Sequence, residues 1–533
     1  MKGIMQKRNG LSRLAVMLAS AALALLVAAG LVGCGSTSSS GSAAQASGQA
    51  GKTLVYGTTG YGVQMDDAGL NPHSAYSGWS AVRYGVGETL FKFSDSMKPE
   101  PWLATGYEFT DDTHCLITLR DDVYFSSGRK MDGQAVKECL DDLVATHDRA
   151  PSDMKISQVT ADGQTVAIET SEPCPALISY LCDPYGAIID MQAGVTADRN
   201  VSGTGPYIAD TVTDTEITLH KNEGYWGGEP KVDTLVIRSF TDGDTLTSAL
   251  QSGEVNATYG LPYASYALFQ NGSYAISDCY TSRAFFGQFN YASPVGADPA
   301  VRQAVAMGID REGFVNTLLN GRGQVGRGAF PDNLAFGGQT VTAASYDPEG
   351  ARQVLEQAGW VDTDGDGIRE KDGRRLTLRW LTYPGRIELP LLAESAQATL
   401  KDIGIDVQVN SSANHVDIRK DASAWDVYVS ALVTAPTGDP EYFFASDTLD
   451  SSSKNFGGYH SDQLEALYQQ LHTTFDTAER AALATRMQQT ILDDNGYFFA
   501  SFLEMGIVSQ SNVTGFVAHP CDYYEITADL DIA

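Results

Sequence analysis

Apolar residues recur along this chain with two different periods, and the changes of period mark its elements. "HCLITL" alternates apolar and polar positions from Cys115 to Leu119, the pattern of a half-buried strand. "MDGQAVKECLDDLVATH" then shows helical spacing at Val136, Leu140, Leu143 and Val144. "ADPAVRQAVAMGIDREGFVNTLLNG" predicts two helices: Asp298 can cap the first, with Pro299 in its first position, and Asp310 the second, which Gly321 ends. The same grammar returns in "YDPEGARQVLEQAGW". Here Asp347 is the N-cap, Pro348 the first helical residue, Ala351, Val354, Leu355 and Ala358 the buried stripe, and Gly359 the stop. Leu54 to Gly57, and the alternating Leu376, Leu378 and Trp380, read as strands. Helix and strand signals that alternate without an internal repeat predict an α/β body.

Two stretches near the start have neither period. Leu14 to Val32 is a continuous apolar run behind Lys2, Lys7, Arg8 and Arg13, and Leu31-Val32-Gly33-Cys34 closes it. This is the layout of a bacterial lipoprotein signal (residues 1–33) whose cleavage leaves Cys34 as the lipidated first residue. A membrane-spanning helix competes on length, but small residues before Cys34 and Ser and Gly after it favour cleavage. Residues 34–52, "CGSTSSSGSAAQASGQAGK", are rich in Ser, Gly and Ala and predict a flexible tether.

At 533 residues the chain has room for two or three domains and an ample core. Its 36 basic and 66 acidic residues give a net charge of −30, which argues against nucleic acid as a partner. Beyond Cys34 there are six cysteines, Cys115, Cys139, Cys174, Cys182, Cys279 and Cys521, with no C-x-x-C spacing. An even number in an exported chain permits disulfides, and buried free thiols fit equally well.

"VDTDGDGIREKDG" (361–373) begins as a calcium loop would, with Asp362, Asp364 and Asp366 at alternate positions before Gly367. The twelfth position is Gly373, which offers no ligand, and a strand follows where a helix is required. A turn shaped by Gly365 and Gly367, then a hairpin closed by Asp372-Gly373, is the better reading. "GRGQVG" (321–326) matches the dinucleotide fingerprint but follows a helix instead of a strand. There is no G-x-S-x-G, H-E-x-x-H or Walker loop, and no histidines are paired at i, i+4, so nothing here predicts an enzyme, a cofactor or a preformed metal centre.

The order of segments nonetheless resembles a known family. "GLNPH" (69–73), "ETLFKF" (88–93), "LRDDVYFSSG" (119–128), "GTGPY" (203–207), "NEGYWGGEP" (222–230), "VRQAVAMGIDREG" (301–313) and "GDPEYFF" (438–444) follow one another as in the solute-binding lipoproteins of ABC importers, in the peptide/nickel-binding branch known as extracellular solute-binding protein family 5. The resemblance implies a two-lobed periplasmic-binding-protein-like fold of type II. Residues 53–284 with 504–533 would form lobe one and residues 285–503 lobe two, with a hinge between them and the ligand in the cleft. The ligand it implies is a small peptide or a nickel or other metal-chelate complex, delivered by a lipid-anchored monomer to a permease and its ATPase at the cell membrane. A membrane-anchored sensor or adhesin that reuses the fold without transport is the alternative.

The chain departs from both branches at the ligand. Peptide-binding relatives place an acid shortly before Gly-Asp-Pro, where this chain reads Leu432-Val433-Thr434-Ala435-Pro436-Thr437. Nickel-binding relatives hold a His where this chain has Ser430, and a cleft arginine in the segment matching residues 182–190, which has none here. The positions that the resemblance sends to the cleft are Tyr76, Trp79, Tyr185, His415, Thr434 and Tyr524, aromatic or polar groups suited to enclosing a small ligand. For His415 the competing role is a solvated loop residue, and Asp439 and Pro440 are expected to shape a helix start.

Overall fold

The computed structural model describes residues 51–62 and 66–533. Signal, tether and Cys34 lie outside the described residues, apart from the tether's last two positions. No helix among the described residues is long and apolar enough to cross a membrane.

Local signals became local structure where the cap chemistry was present. Asp132 accepts the Ala135 amide at 2.9 Å and starts the helix Gly133–Thr146, which buries Val136, Leu140 and Leu143. Asp298 caps Pro299–Gly308 through Ala300, and Asp347 caps Pro348–Gln357 through Gly350. Gly359 stops the latter with φ +87°, a left-handed conformation that glycine adopts without strain. The helix expected after Asp310 comes out differently. One α turn, Arg311–Gly313, opens into a π-helical stretch, Phe314–Leu318. The wider turn sends Phe314, Val315 and Leu319 together into the core.

The backbone of the fold is one large mixed sheet. Its strands run, from one edge, Asp406–Ser411, Thr377–Thr382, Val427–Val433, Tyr274–Phe289, Tyr497–Gln510, Ala257–Tyr259, Thr53–Thr58, Thr234–Ser239, Glu216–Lys221 and Tyr207–Val212. The two longest strands lie antiparallel in the middle. Their register breaks between Tyr280 and Ala284 and again between Phe285 and Phe286. Before the first break Tyr497–Gln510 continues outward to Ala257–Tyr259; after it Tyr274–Phe289 pairs with Val427–Val433. A four-stranded antiparallel sheet, in the order Ala104–Asp111, His114–Leu119, Thr165–Thr170, Ile156–Asp162, carries the helix Gly133–Thr146. A separate core under the second half of the chain is built on Trp380, Leu392, Leu400, Val429 and Phe498.

The "DTDGDG" stretch is a turn. Asp362 accepts from the Gly365 and Gly367 amides (2.7 and 3.0 Å), Asp364 from Asp366, and Asp366 from Ile368 while pairing with Arg375. Asp372 and Gly373 both have positive φ in the hairpin joining Glu370–Lys371 to Arg374–Arg375, as a type I′ turn demands. All six described cysteines are free thiols, five buried and Cys279 half-buried.

Candidate functional site

Tyr76 and Trp79 start the short helix Ser77–Arg83, which can press on the turn Pro184–Gly186 because residue 78 is glycine: a Cβ there would lie 2.7 Å from the Pro184 carbonyl. That contact brings Tyr76, Trp79 and Tyr185 into one recess with Arg149 and Asp183. The Tyr76 and Trp79 rings are 5.5 Å apart. The Arg149 guanidinium lies 5.0 Å from the Tyr185 ring and 5.8 Å from Tyr76, and pairs with Asp183 at 3.5 Å. Tyr185 donates its hydroxyl to Asp153. The indole N–H of Trp79 is buried and makes no hydrogen bond among the described residues, a donor left over for something else.

From Trp79 the site continues through the C-terminal segment. Tyr523 lies 6.0 Å from Trp79 and donates its hydroxyl to the Pro436 carbonyl at 3.2 Å, so the two sides of the site touch. Arg83 is buried 5.6 Å from the Trp79 ring, between Asp522 (3.3 Å) and Glu525 (3.4 Å). Burial pushes the Glu525 carboxyl up to about 7, against the pull of Arg83 and the Tyr56 hydroxyl.

Beyond Asp522 stands Arg283, opposite Val433 in the central sheet. Burial and the neighbouring Arg386 both depress its pKa, and Asp522 opposes them. Among the described residues the side chains of Arg283 and Arg386 make no hydrogen bond and no ion pair. Two cations set close enough to disfavour each other, with their donors unspent, form an anion-binding arrangement. Tyr259 belongs to the same environment, its phenol raised to about 12 by burial and then by Asp522.

Three expected positions fall outside the recess. Thr434 is fully buried and spends its hydroxyl on the Ser282 carbonyl at 3.0 Å, which ties the strand end to its neighbour. His415 stacks on Tyr383 (4.1 Å) and shares a hydrogen bond of 2.8 Å with Tyr428, in an aromatic group of its own. Tyr524 faces the other way from Tyr523: its hydroxyl accepts the Phe93 amide and its ring packs edge-on against Trp102. Asp439 is locked by Arg480 at 2.9 and 2.7 Å and accepts the Glu441 amide where the chain turns helical. Arg149, Arg283, Arg386, Asp522 and Tyr523 were not expected. The one signal for Arg283 was a lone cation in the apolar strand "RAFFGQF".

Aromatic rings, a guanidinium and an unspent indole N–H gathered at one place are the features of a binding site. Comparison with known proteins agrees. Residues 98–455 match bacterial extracellular solute-binding proteins, family 5, and the chain belongs to that family. It is 27% identical to the nickel-binding protein NikA of Staphylococcus aureus over 447 residues, which is 84% of this chain and 89% of that one. It is 26% identical to the glutathione-binding protein GsiB of Salmonella paratyphi A, covering 85% and 90%. The crystal structure of a nickel ABC transporter protein from Bacillus halodurans superposes with a TM-score of 0.77 at 29% identity, covering 90% of this chain and all of that one. The fold is therefore the two-lobed α/β architecture of type II periplasmic binding proteins.

Proposed function

We propose that this chain is the solute-capturing subunit of an ABC importer. It closes two lobes on a small carboxylate-bearing solute, a short peptide or nickel held in an organic chelate, and presents it to a membrane permease and its ATPase. The observation that carries this reading is the neighbouring pair Arg283 and Arg386, whose guanidinium groups make no hydrogen bond or ion pair among the described residues, with Arg283 in the field of the Asp522 that pairs with Arg83 next to Trp79. Both guanidinium groups are half-buried, so water satisfies them only in part, and a carboxylate from the solute would supply a partner, bidentate if the fork is met squarely. Nickel and glutathione, for which the relatives are named, are both compatible, since glutathione carries carboxylates and a chelated metal brings those of its chelator. A bare ion is the poorer fit. The one His, Cys, Asp or Glu grouping close enough to hold an ion among the described residues is Asp362, Asp364 and Glu370, on the exposed turn.

In this reading lobe one is residues 53–284 with 504–533, lobe two is 285–503, and the hinge lies where the register of the long strands breaks after Tyr280. Lipid on Cys34 holds a monomer at the outer face of the cell membrane through the tether, and the protein acts on its solute by binding alone. Native mass spectrometry of protein purified without refolding tests this. A bound mass that a short peptide, glutathione or a nickel–histidine mixture displaces is the expected result. A bare protein that none of them shifts would overturn it.

A further inference from the structure

A second recess, of about 900 Å³, lies on the other side of the C-terminal segment from the cleft. Its front is the hairpin of Phe91–Phe93 and Pro99–Pro101, and its back is the tail around Tyr524. The wall is aromatic: Trp102, Tyr225, Trp226, Tyr524 and Phe93. Trp102, Tyr225 and Trp226 remain half-buried, with the Tyr225 and Trp226 rings 5.5 Å apart. The last two are fixed by their polar edges. Glu88, fully buried at the floor, accepts from the Tyr225 hydroxyl (2.7 Å), the Trp226 indole N–H (2.8 Å) and Thr204 (2.8 Å).

The charges around this recess are of both signs, and the two deepest are matched. Glu88 is spent on those three donors. Arg120 is bidentate to Asp122 (2.9 and 2.8 Å) and lies 4.2 Å over the Trp226 ring. Lys92 sits 5.9 Å from the Trp102 ring. Asp95, Glu100 and Asp529 at the margin disfavour an anion. One buried polar group of the lining is unspent: His519, nine-tenths buried, whose Nε2 makes no hydrogen bond among the described residues and has Asp95 no nearer than 3.9 Å. Burial lowers the pKa of this imidazole, so it stands neutral. Flat ring faces beside hydrogen-bonding groups of both charges, Lys92 and Glu100 among them, suit a ligand that is apolar on its faces and hydroxylated at its edges, and the volume is within the range of small-molecule sites.

We propose that this recess is a second binding site, separate from the interlobe cleft, and that it takes a short neutral saccharide on its aromatic wall. Ligand-observed NMR and calorimetry with maltotriose, cellotriose and N-acetylchitotriose test it on the whole processed chain and three variants. Trp102→Ala removes a wall, Thr105→Arg blocks the mouth from an exposed position should the first variant misfold, and Arg283→Ala disables the cleft only. At least one sugar should bind below about 10 mM. Either recess variant should weaken it about tenfold, the scale of one aromatic contact, and Arg283→Ala should leave it unchanged. Overturning results are no binding by any of the three, binding that both recess variants leave intact, or binding that Arg283→Ala abolishes. The last would put the sugar in the cleft. A failed cleft reading would instead show as no peptide or chelate binding by the unaltered chain, with the sugar result intact.

Discussion

Arg480 is a buried arginine and Arg283 a half-buried one, and they stand in opposite electrostatic conditions. Arg480 is bidentate to Asp439, pairs with Glu441 at 3.0 Å and donates to the Leu471 and Thr474 carbonyls, so its donors are met from within. Arg283 has no such partner and faces a second cation, Arg386. The first arrangement secures the "GDPEYFF" loop against the helix that follows. The second leaves the guanidinium donors unmet from within. The pair separates an arginine that builds the fold from one that the proposed function assigns to a solute.

The largest effect should come from breaking the satisfied member. Arg480→Ala strips Asp439 of its cation and leaves the buried Glu441 with His472 and Tyr468 alone, and should cost about 3 kcal/mol, read as a lower denaturation midpoint without a change in slope. Arg283→Ala should do the reverse, holding or slightly raising the stability of the unloaded protein while weakening solute binding by roughly 30-fold or more, the worth of a charge-assisted bond. If both variants lose stability equally, the contrast fails.

A smaller effect follows from Glu525 behind the cleft, whose carboxyl is raised from 4.5 to about 7. Between those values the folded chain keeps a proton that the unfolded chain has released, so stability falls as pH rises, by up to about 1.4 kcal/mol per unit. Unfolding measured between pH 5 and pH 7 should show that decline, and Glu525→Gln should make it shallower. Smallest is Trp79→Phe, which keeps a ring and removes the unspent indole N–H. It should weaken solute by a few-fold, about 1 kcal/mol, with no change in the midpoint of the unloaded protein.

The fold was legible wherever a few adjacent residues decide the backbone. Asp298-Pro299, Asp347-Pro348 and Asp372-Gly373 carry their instructions within one turn, and each folds as its spelling implies. The site was legible only in part, because it depends on which side of a segment a residue faces and on partners far away in sequence. Tyr76, Trp79 and Tyr185 meet because Gly78 lets a helix rest on the Pro184 turn. Tyr523 and Tyr524 differ by one position and so face opposite sides, a parity that no local pattern discloses. Thr434 is polar and near the cleft, yet a neighbouring strand's carbonyl takes its hydroxyl. Arg149 reaches Asp183 from more than thirty residues earlier, a meeting that the local pattern of neither segment discloses.

The most direct test of the arginine pair is calorimetric titration with matched probes whose carboxylates are free or amidated: glutathione against its diamide, and nickel with L-histidine against nickel with L-histidinamide. The free-carboxylate form of the probe that binds should bind at least about 30-fold more tightly, and Arg283→Ala should erase that difference. Equal affinity for the two forms in the unaltered protein would contradict the account.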